Sequence, residues 1–567
     1  MRIPLALGFV FSVACSLGTS PQGYDMGAAP PPVADPTAPP GSGSSGGVSF
    51  GGAQDLGELR AILDRGGIPG PDTFDANGFF NEHYNAPPPA ACGNVLCAVP
   101  GMSVGRDWLT GAHQATLQIS ITTPVDPTTF HRLPMNLVVV VDHSGSMASD
   151  GRLDKVKAGL HTMIDNLHDE DRLALIEFDD VVTIDAPFGP TIDRPALHAI
   201  IDRLAPRGGT NIFDGLEQGF KLLGDAPVSD RQNRVILLSD GNATSGNTSQ
   251  VAIMEMARSR VQRGIGLTTI GVGVDFDVAL MRGLAEQGAG NFYFLEDPAA
   301  ATEVFTQELD YFMQPLALDI QLTAVAGPGY RFDDAVGSHL WSPQPTSGTM
   351  AIPAVFIASR TTQTGEQGRR GGGSMIFLRL TPVAGNTGRV ADLMLSFRTP
   401  GSEERISQVT SLDYTRDPAE TPEQPYLSIP EMTERFAMYN MFLGIRAATV
   451  ASSPGCAIAA LEATRTAATA WNREHEDADL AADLMLVDQY LANLRANYAG
   501  IEATTVAACV NGAPVSPPGP KPLPDDPAIP PADHERKLYA CSAGGPTGGL
   551  PIALGALAVV GVRRRRR

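Results

Sequence analysis

The sequence predicts an α/β fold, with a doubly wound parallel sheet inserted in or flanked by a small β-sandwich and followed by an α-helical domain. Three observations carry this. First, Leu137-Val138-Val139-Val140-Val141 and Leu237-Leu238 are unbroken apolar runs, as expected of strands buried on both faces of a parallel sheet, and they lead into Asp142 and Ser239-Asp240. Second, apolar residues alternate on either side of that region, at Ala115, Leu117, Ile119 and Ile121 before it, and at Leu316, Leu318, Ile320 and Leu322 and again at Leu393, Leu395 and Phe397 after it. Such a period of two marks half-buried strands. Third, from Glu431 the spacing becomes three or four, through Phe436, Tyr439, Phe442 and Leu443 and then Leu480, Leu484, Val487, Leu491 and Leu494, which is the pattern of amphipathic helices.

A chain of 567 residues holds roughly three or four domains. Residues 1–18, with Met1-Arg2 ahead of the apolar Leu5 to Phe11, read as a secretory signal peptide. Residues 19–48 are rich in Pro, Gly and Ser and form a tether unable to bury a core. The N-terminal segment 49–134 offers short helices around Leu56 to Leu63, Phe74, Phe79-Phe80 and Tyr84, then the flanking strand Gln114 to Thr123. The parallel-sheet domain spans 135–312. A β-rich domain over 313–415 adds Met375 to Leu380 and Ile406 to Val409, with Gly365 to Gly373 as an exposed loop. The helical domain covers 430–509, residues 510–540 form a Pro-rich stalk, and 541–567 form a tail.

Ligands of parallel sheets collect outside the carboxyl ends of the strands. There the first buried run delivers Asp142, Ser144 and Ser146, the segment Gly208-Gly209-Thr210-Asn211 opens a helix, and Ser239-Asp240-Gly241 closes the second run. An Asp-x-Ser-x-Ser string alone is more often a helix cap or an Asx-turn than a metal site. Three agreeing segments instead converge five oxygen-bearing side chains, Asp142, Ser144, Ser146, Thr210 and Asp240, on one divalent cation. Mg²⁺ suits such a set best, because it takes octahedral oxygen ligands and keeps several waters, with Mn²⁺ or Ca²⁺ as alternatives. Asp214 either orients these ligands or is an ordinary first-turn acid. His143, between the ligands, is expected to point away from the metal.

In this order and at these intervals, Asp142-x-Ser144-x-Ser146, Gly208-Gly209-Thr210-Asn211 and Ser239-Asp240-Gly241 resemble the metal-ion-dependent adhesion site of a von Willebrand factor A domain. Thr269-Ile270-Gly271-Val272-Gly273, Leu280 to Gly288 and Asn291 to Phe294 extend the resemblance to about 135–312. It implies a Rossmann-like domain whose cation captures the carboxylate of a protein or surface ligand. The order of the whole chain resembles bacterial exported von Willebrand A proteins of the YfbK type, through Phe50-Gly51-Gly52 to Tyr84 and the helices after Glu431. That second resemblance implies an architecture but no defined activity.

With 62 acidic against 41 basic residues and a formal charge of −21, the composition argues against a nucleic-acid partner. Val13-Ala14-Cys15 resembles the end of a bacterial lipobox, which would make Cys15 a lipidated first residue; ordinary signal cleavage is the alternative. Cys541-Ser542-Ala543-Gly544-Gly545, the apolar stretch Leu550 to Val562 and Arg563 to Arg567 resemble a myxobacterial-type carboxy-terminal sorting tail, with processing near Cys541. The apolar run is shorter than the roughly 17 residues a spanning helix needs. Together the ends predict export, retention at the bacterial cell surface or outer membrane, and membrane association through the N-terminal lipid, the tail or both. In an exported chain the remaining cysteines are expected to pair, most simply Cys92 with Cys97 and Cys456 with Cys509.

The chain contains neither His-Glu-x-x-His nor Gly-x-x-x-x-Gly-Lys-Ser/Thr. These are the signatures of a zinc protease and a nucleotide-binding loop. The sequence therefore predicts a non-enzymatic, cation-dependent binding protein. The alternatives are a structural protein of the envelope whose metal only stabilises its domain, and a metal-dependent hydrolase.

Overall fold

The computed structural model describes residues 45–511 apart from 192, 225–230, 241, 262, 274–276, 362–368, 384 and 386. The signal peptide, Cys15, almost all of the tether and of the stalk, and the tail with Cys541 lie outside the described residues. Among the described residues no helix is long and apolar enough to cross a membrane.

The parallel-sheet domain has seven strands in the order Gly52–Ala53, Asn291–Leu295, Ile265–Val272, Gln232–Ser239, Met135–Asp142, Arg172–Phe178 and Val182–Pro190. All neighbours are parallel except the last pair. The central strand Met135–Asp142 is buried throughout, which explains its unbroken valines. Leu137, Val139 and Val141 meet Leu153, Val156 and Leu160 of helix Arg152–Asn166 on one face. Val138 and Val140 meet Leu216 and Phe220 of helix Ile212–Leu223 on the other. Helices thus cover both faces of the sheet, as the sequence predicts.

The flanking β-structure forms two antiparallel layers that share one core. One layer holds Cys97–Arg106, His113–Thr123, Tyr330–Val336, Met375–Pro382 and the short Tyr426–Leu427; the other holds Pro315–Ala326, Trp341–Gln344, Ser347–Ile357, Gly388–Arg398 and Arg405–Tyr414. Leu117 and Ile119 from the first layer pack with Ile320, Leu322 and Leu393 from the second. Strand Gly46–Ser49 joins the layers by pairing with both His113–Thr123 and Ser347–Ile357, so eleven strands form one continuous sheet. The parallel-sheet domain is inserted into this sandwich between Thr123 and Pro315.

Several expectations change. The tether predicted to reach residue 48 gives way at Gly46, because Gly46 and Gly47 already pair with Thr123 and Thr122. The alternation through Leu316, Leu318, Ile320 and Leu322 breaks at a register shift beside Asp319, whose φ is +50°. Leu318 leaves the sandwich core and packs with Ala289 and Phe356. Residues 369–373, predicted as part of an exposed loop, are largely buried, and Arg370 is fully so. Near the start of helix Ala478–Asn497, Asp479 accepts hydrogen bonds from Arg360 Nη2 at 2.8 Å and Tyr84 N at 2.7 Å.

The helices Met432–Thr449, Pro454–His475 and Ala478–Asn497 pack against the N-terminal segment, where Phe74, Phe79 and Phe80 surround Phe442. Disulfides join Cys92 to Cys97 and Cys456 to Cys509, with Cα atoms 5.6 and 5.7 Å apart. The second ties the start of helix Pro454–His475 to helix Val506–Asn511.

Candidate metal centre

Strand Met135–Asp142 has Gln232–Ser239 on one side and Arg172–Phe178 on the other, so chain connections leave it in opposite directions. A crevice forms at such a switch point beyond the carboxyl ends of the strands. Asp142 ends the central strand and Asp240 follows Ser239 at the end of its neighbour.

Four of the five expected ligands form one hydrogen-bonded chain. Asp142 Oδ1 accepts from Ser144 N at 2.8 Å and Oδ2 accepts from the Ser239 hydroxyl at 2.5 Å. The hydroxyls of Ser144 and Ser146 are 3.0 Å apart, and Ser146 Oγ donates to Asp240 Oδ1 at 2.7 Å. Thr210 joins them through the main chain: Gly145 N donates to Gly208 O at 3.1 Å, Arg207 N to His143 O at 2.7 Å, and Thr244 N to Thr210 O at 3.0 Å. Asp142, Ser144, Thr210 and Asp240 are buried, while Ser146 is exposed and marks the open side of the cluster.

Gly208 makes the Thr210 loop possible. Its φ of +67° is a left-handed conformation, and a Cβ there would lie 2.9 Å from the Asp179 side chain. Below it, Asp179 O accepts from Asn211 N and Asp180 Oδ2 accepts from Gly209 N at 3.0 Å. Asp214 is tied to Asn211, whose amide donates to it at 2.7 Å, so it serves the helix start. His143 turns away from the cluster, with Nδ1 3.0 Å from Ala205 O.

The sequence reading missed Arg152. Its Nη1 donates to Asp240 Oδ2 at 2.8 Å, and its side chain is almost fully buried. A signal was present: a cation at the first position of a helix opposes the helix dipole and needs an acidic partner. Gly273 makes room for it, since a Cβ there would sit 2.5 Å from Arg152 Nε.

The donor set fits a hard divalent cation. It comprises two carboxylates and three hydroxyls, all oxygen. Neighbouring ligands of an octahedral Mg²⁺ with bonds of 2.0–2.1 Å lie about 3 Å apart, close to the Ser144–Ser146 and Ser146–Asp240 separations. Burial, reinforced by the negative charge of Asp240, pushes the Asp142 carboxyl up from 3.8 to about 6. Burial thus disfavours the charged carboxylate, a cost that a cation bound beside it would offset. Among the described residues no group of three or more His, Cys, Asp or Glu could hold a metal, so a nitrogen or sulfur cage is not offered in place of these oxygens.

Residues 136–307 match the family model of the von Willebrand factor type A domain. This chain carries a von Willebrand factor A domain. Such domains typically bind a divalent cation at a metal-ion-dependent adhesion site. The chain is 28% identical over 196 residues to "Uncharacterized protein YfbK" of Escherichia coli, covering 34% of each protein. It is 31% identical over 195 residues to "Uncharacterized protein sll0103" of Synechocystis, covering 34% of this chain and 45% of that protein. Inter-alpha-trypsin inhibitor heavy chain H2 of Sus scrofa is 25% identical over 206 residues, or 34% of this chain and 22% of its own length. The matches therefore span less than half of these relatives. Among solved structures, the von Willebrand factor type A protein of Catenulispora acidiphila aligns over 67% of this chain and 87% of its own, at 17% identity and a TM-score of 0.44.

Proposed function

We propose that this protein binds a protein or surface ligand through a divalent cation held by Asp142, Ser144, Ser146, Thr210 and Asp240, the ligand's carboxylate completing the coordination. A domain family that commonly mediates metal-dependent protein binding supports this reading. The observation that carries it is the open oxygen cluster with Arg152 behind it. Two carboxylates and one guanidinium leave a net charge of −1, so a bound Mg²⁺ would bring the site to +1. That residual charge, at a position open beside Ser146, favours an acidic partner over a neutral one.

The same site does not favour hydrolysis. A metal-activated water needs a base within hydrogen-bond reach, and His143 is held on the far side by Ala205. We place the protein outside the cytoplasm, at the bacterial cell surface or outer membrane, on the terminal sequences and the extracellular habit of paired cysteines. A role in envelope assembly, with the cation only stabilising the domain, is the second reading, favoured by the depth at which Asp142 is buried.

Pull-down from the cell envelope separates the two. Partner capture in Mg²⁺ that disappears with chelator and with Thr210→Ala, while the far-ultraviolet circular dichroism is kept, supports ligand binding. Capture that survives both treatments while chelator still lowers Tm assigns the metal a structural role.

A further inference from the structure

The helices Arg152–Asn166 and Arg194–Arg203 pack side by side on the A domain. Each carries a His followed four residues later by an Asp, which puts both side chains on one helical face. The pairs cross over: His161 Nε2 lies 3.1 Å from Asp202 Oδ1, and His198 Nε2 lies 3.1 Å from Asp165 Oδ1. Carboxylates accept, so each Nε2 carries the ring hydrogen and each Nδ1 keeps a lone pair. Those two Nδ1 atoms are 2.6 Å apart. The ring centres are 4.9 Å apart and the planes differ by 25°. With ring centres so much farther apart than the nitrogens, the nitrogens lie between the rings and their lone pairs meet head-on.

Two facing lone pairs at this distance require a positive species between them, either a proton or a metal ion. The surroundings are built as for a metal. Imidazole nitrogen suits Zn²⁺, Cu²⁺ and Ni²⁺ better than Mg²⁺ or Ca²⁺. A metal-ligating His almost always donates its other N–H to a carboxylate or carbonyl, which is the place Asp202 and Asp165 occupy. The helices are also pinned beside the pair, with Lys157 Nζ on Asp202 O at 3.1 Å and Arg194 Nη1 on Asp165 O at 2.9 Å. At Zn–N bonds of 2.0–2.1 Å a tetrahedral ion holds two nitrogens about 3.3 Å apart, so capture parts the nitrogens by roughly 0.7 Å and tilts the rings until both lone pairs aim at the ion. The imidazoles are 32% and 27% exposed and free to make that movement.

We propose that His161 and His198 form a second cation site, selective for a borderline transition ion such as Zn²⁺, Cu²⁺ or Ni²⁺. Asp202 and Asp165 orient the rings, and the remaining coordination positions stay open to water or to a donor from another molecule. This site stands apart from the oxygen cluster in donor chemistry, so the two select different metals. Its existence does not depend on the ligand-binding role of the adhesion site.

The test is calorimetric titration of the untagged full-length protein with Zn²⁺ in excess Mg²⁺, which keeps the oxygen site occupied. We expect one Zn²⁺ per chain, lost in His161→Ala and in His198→Ala and retained in Asp142→Ala. Asp202→Asn should weaken binding by about 10- to 100-fold while leaving one equivalent. Circular dichroism of each His variant should match the wild type. Absence of Zn²⁺ binding in the wild type, or binding unchanged by loss of either His, would overturn the proposal and leave the pair holding a proton alone.

Discussion

Asp142 is where the chemistry of the site is most exposed to test. The fold favours the neutral form of a carboxyl whose pKa rises on folding, here from 3.8 to about 6, so Asp142 is neutral below that pH and a carboxylate above it. Without a cation, the contribution of Asp142 to stability is therefore fully present below pH 3.8 and is lost as pH rises from there through about 6. A bound cation favours the carboxylate and reverses that slope. Mg²⁺ should thus raise Tm clearly at pH 7.5 and little at pH 5, with affinity falling about tenfold per pH unit below about 6 as protons compete. Melting curves and titrations across that range check it. Arg152 gives a second expectation. Arg152→Ala leaves the buried Asp240 without its guanidinium, a change that costs about 3–5 kcal/mol for a buried pair. Because a cation relieves that cost, the gain in Tm on adding Mg²⁺ should be larger in the variant than in the wild type. At this scale the sequence was informative about Asp142, Ser144, Ser146 and Asp240, since short motifs at strand ends fix where their side chains go. It was silent on Arg152, which acts across 88 residues of sequence.

At the scale of elements, the loop carrying Thr210 depends on a left-handed glycine. Gly208→Ala forces a Cβ against Asp179 at φ +67°, and such strain costs about 1–3 kcal/mol. Chemical denaturation should show that loss, and cation affinity should fall further than in a variant of equal stability elsewhere in the sheet. Strands such as Met135–Asp142 were legible because burial on both faces leaves an unbroken apolar run. Strand Pro315–Ala326 was half legible: its alternation is real, but the irregularity at Asp319 sends Leu318 to a different core. Helix Pro454–His475 was not distinguished within the helical domain, because its buried face is largely alanine, including Ala457, Ala459, Ala460 and Ala468. The two-residue strand Gly52–Ala53 is too short to show any period.

Across the whole molecule, the N-terminal segment binds the parts together. It gives Gly46–Ser49 to the sandwich, Gly52–Ala53 to the A-domain sheet, and its short helices to the C-terminal helices. Arg370 sits at the junction, fully buried. Its Nε donates to Asp55 at 2.8 Å, its Nη1 to Glu303 at 2.5 Å and its Nη2 to Glu296 at 3.3 Å. Asp55 belongs to the N-terminal segment and Glu296 and Glu303 to the last part of the A domain, while Arg369 beside it also pairs with Glu296. Arg370→Ala leaves the Asp55 and Glu303 carboxylates without their guanidinium, while Glu296 keeps Arg369, and we expect a loss of about 3–5 kcal/mol in urea unfolding. An Arg-Arg-Gly-Gly-Gly string reads as a solvated loop, and only partners some 70 and 315 residues away reveal otherwise. Insertion of the A domain into a sandwich was visible from strands on both sides, but the pairing of those strands rests on contacts that no local pattern encodes.

The central claim is that Asp142, Ser144, Ser146, Thr210 and Asp240 hold one divalent cation. Electron paramagnetic resonance of Mn²⁺ titrated into the full-length protein tests it most directly, using the wild type, Asp142→Ala and Thr210→Ala. One tightly held Mn²⁺ per wild-type chain, displaced by Mg²⁺ and absent from both folded variants, is the result expected. The same Mn²⁺ uptake in the wild type and in Asp142→Ala would contradict it.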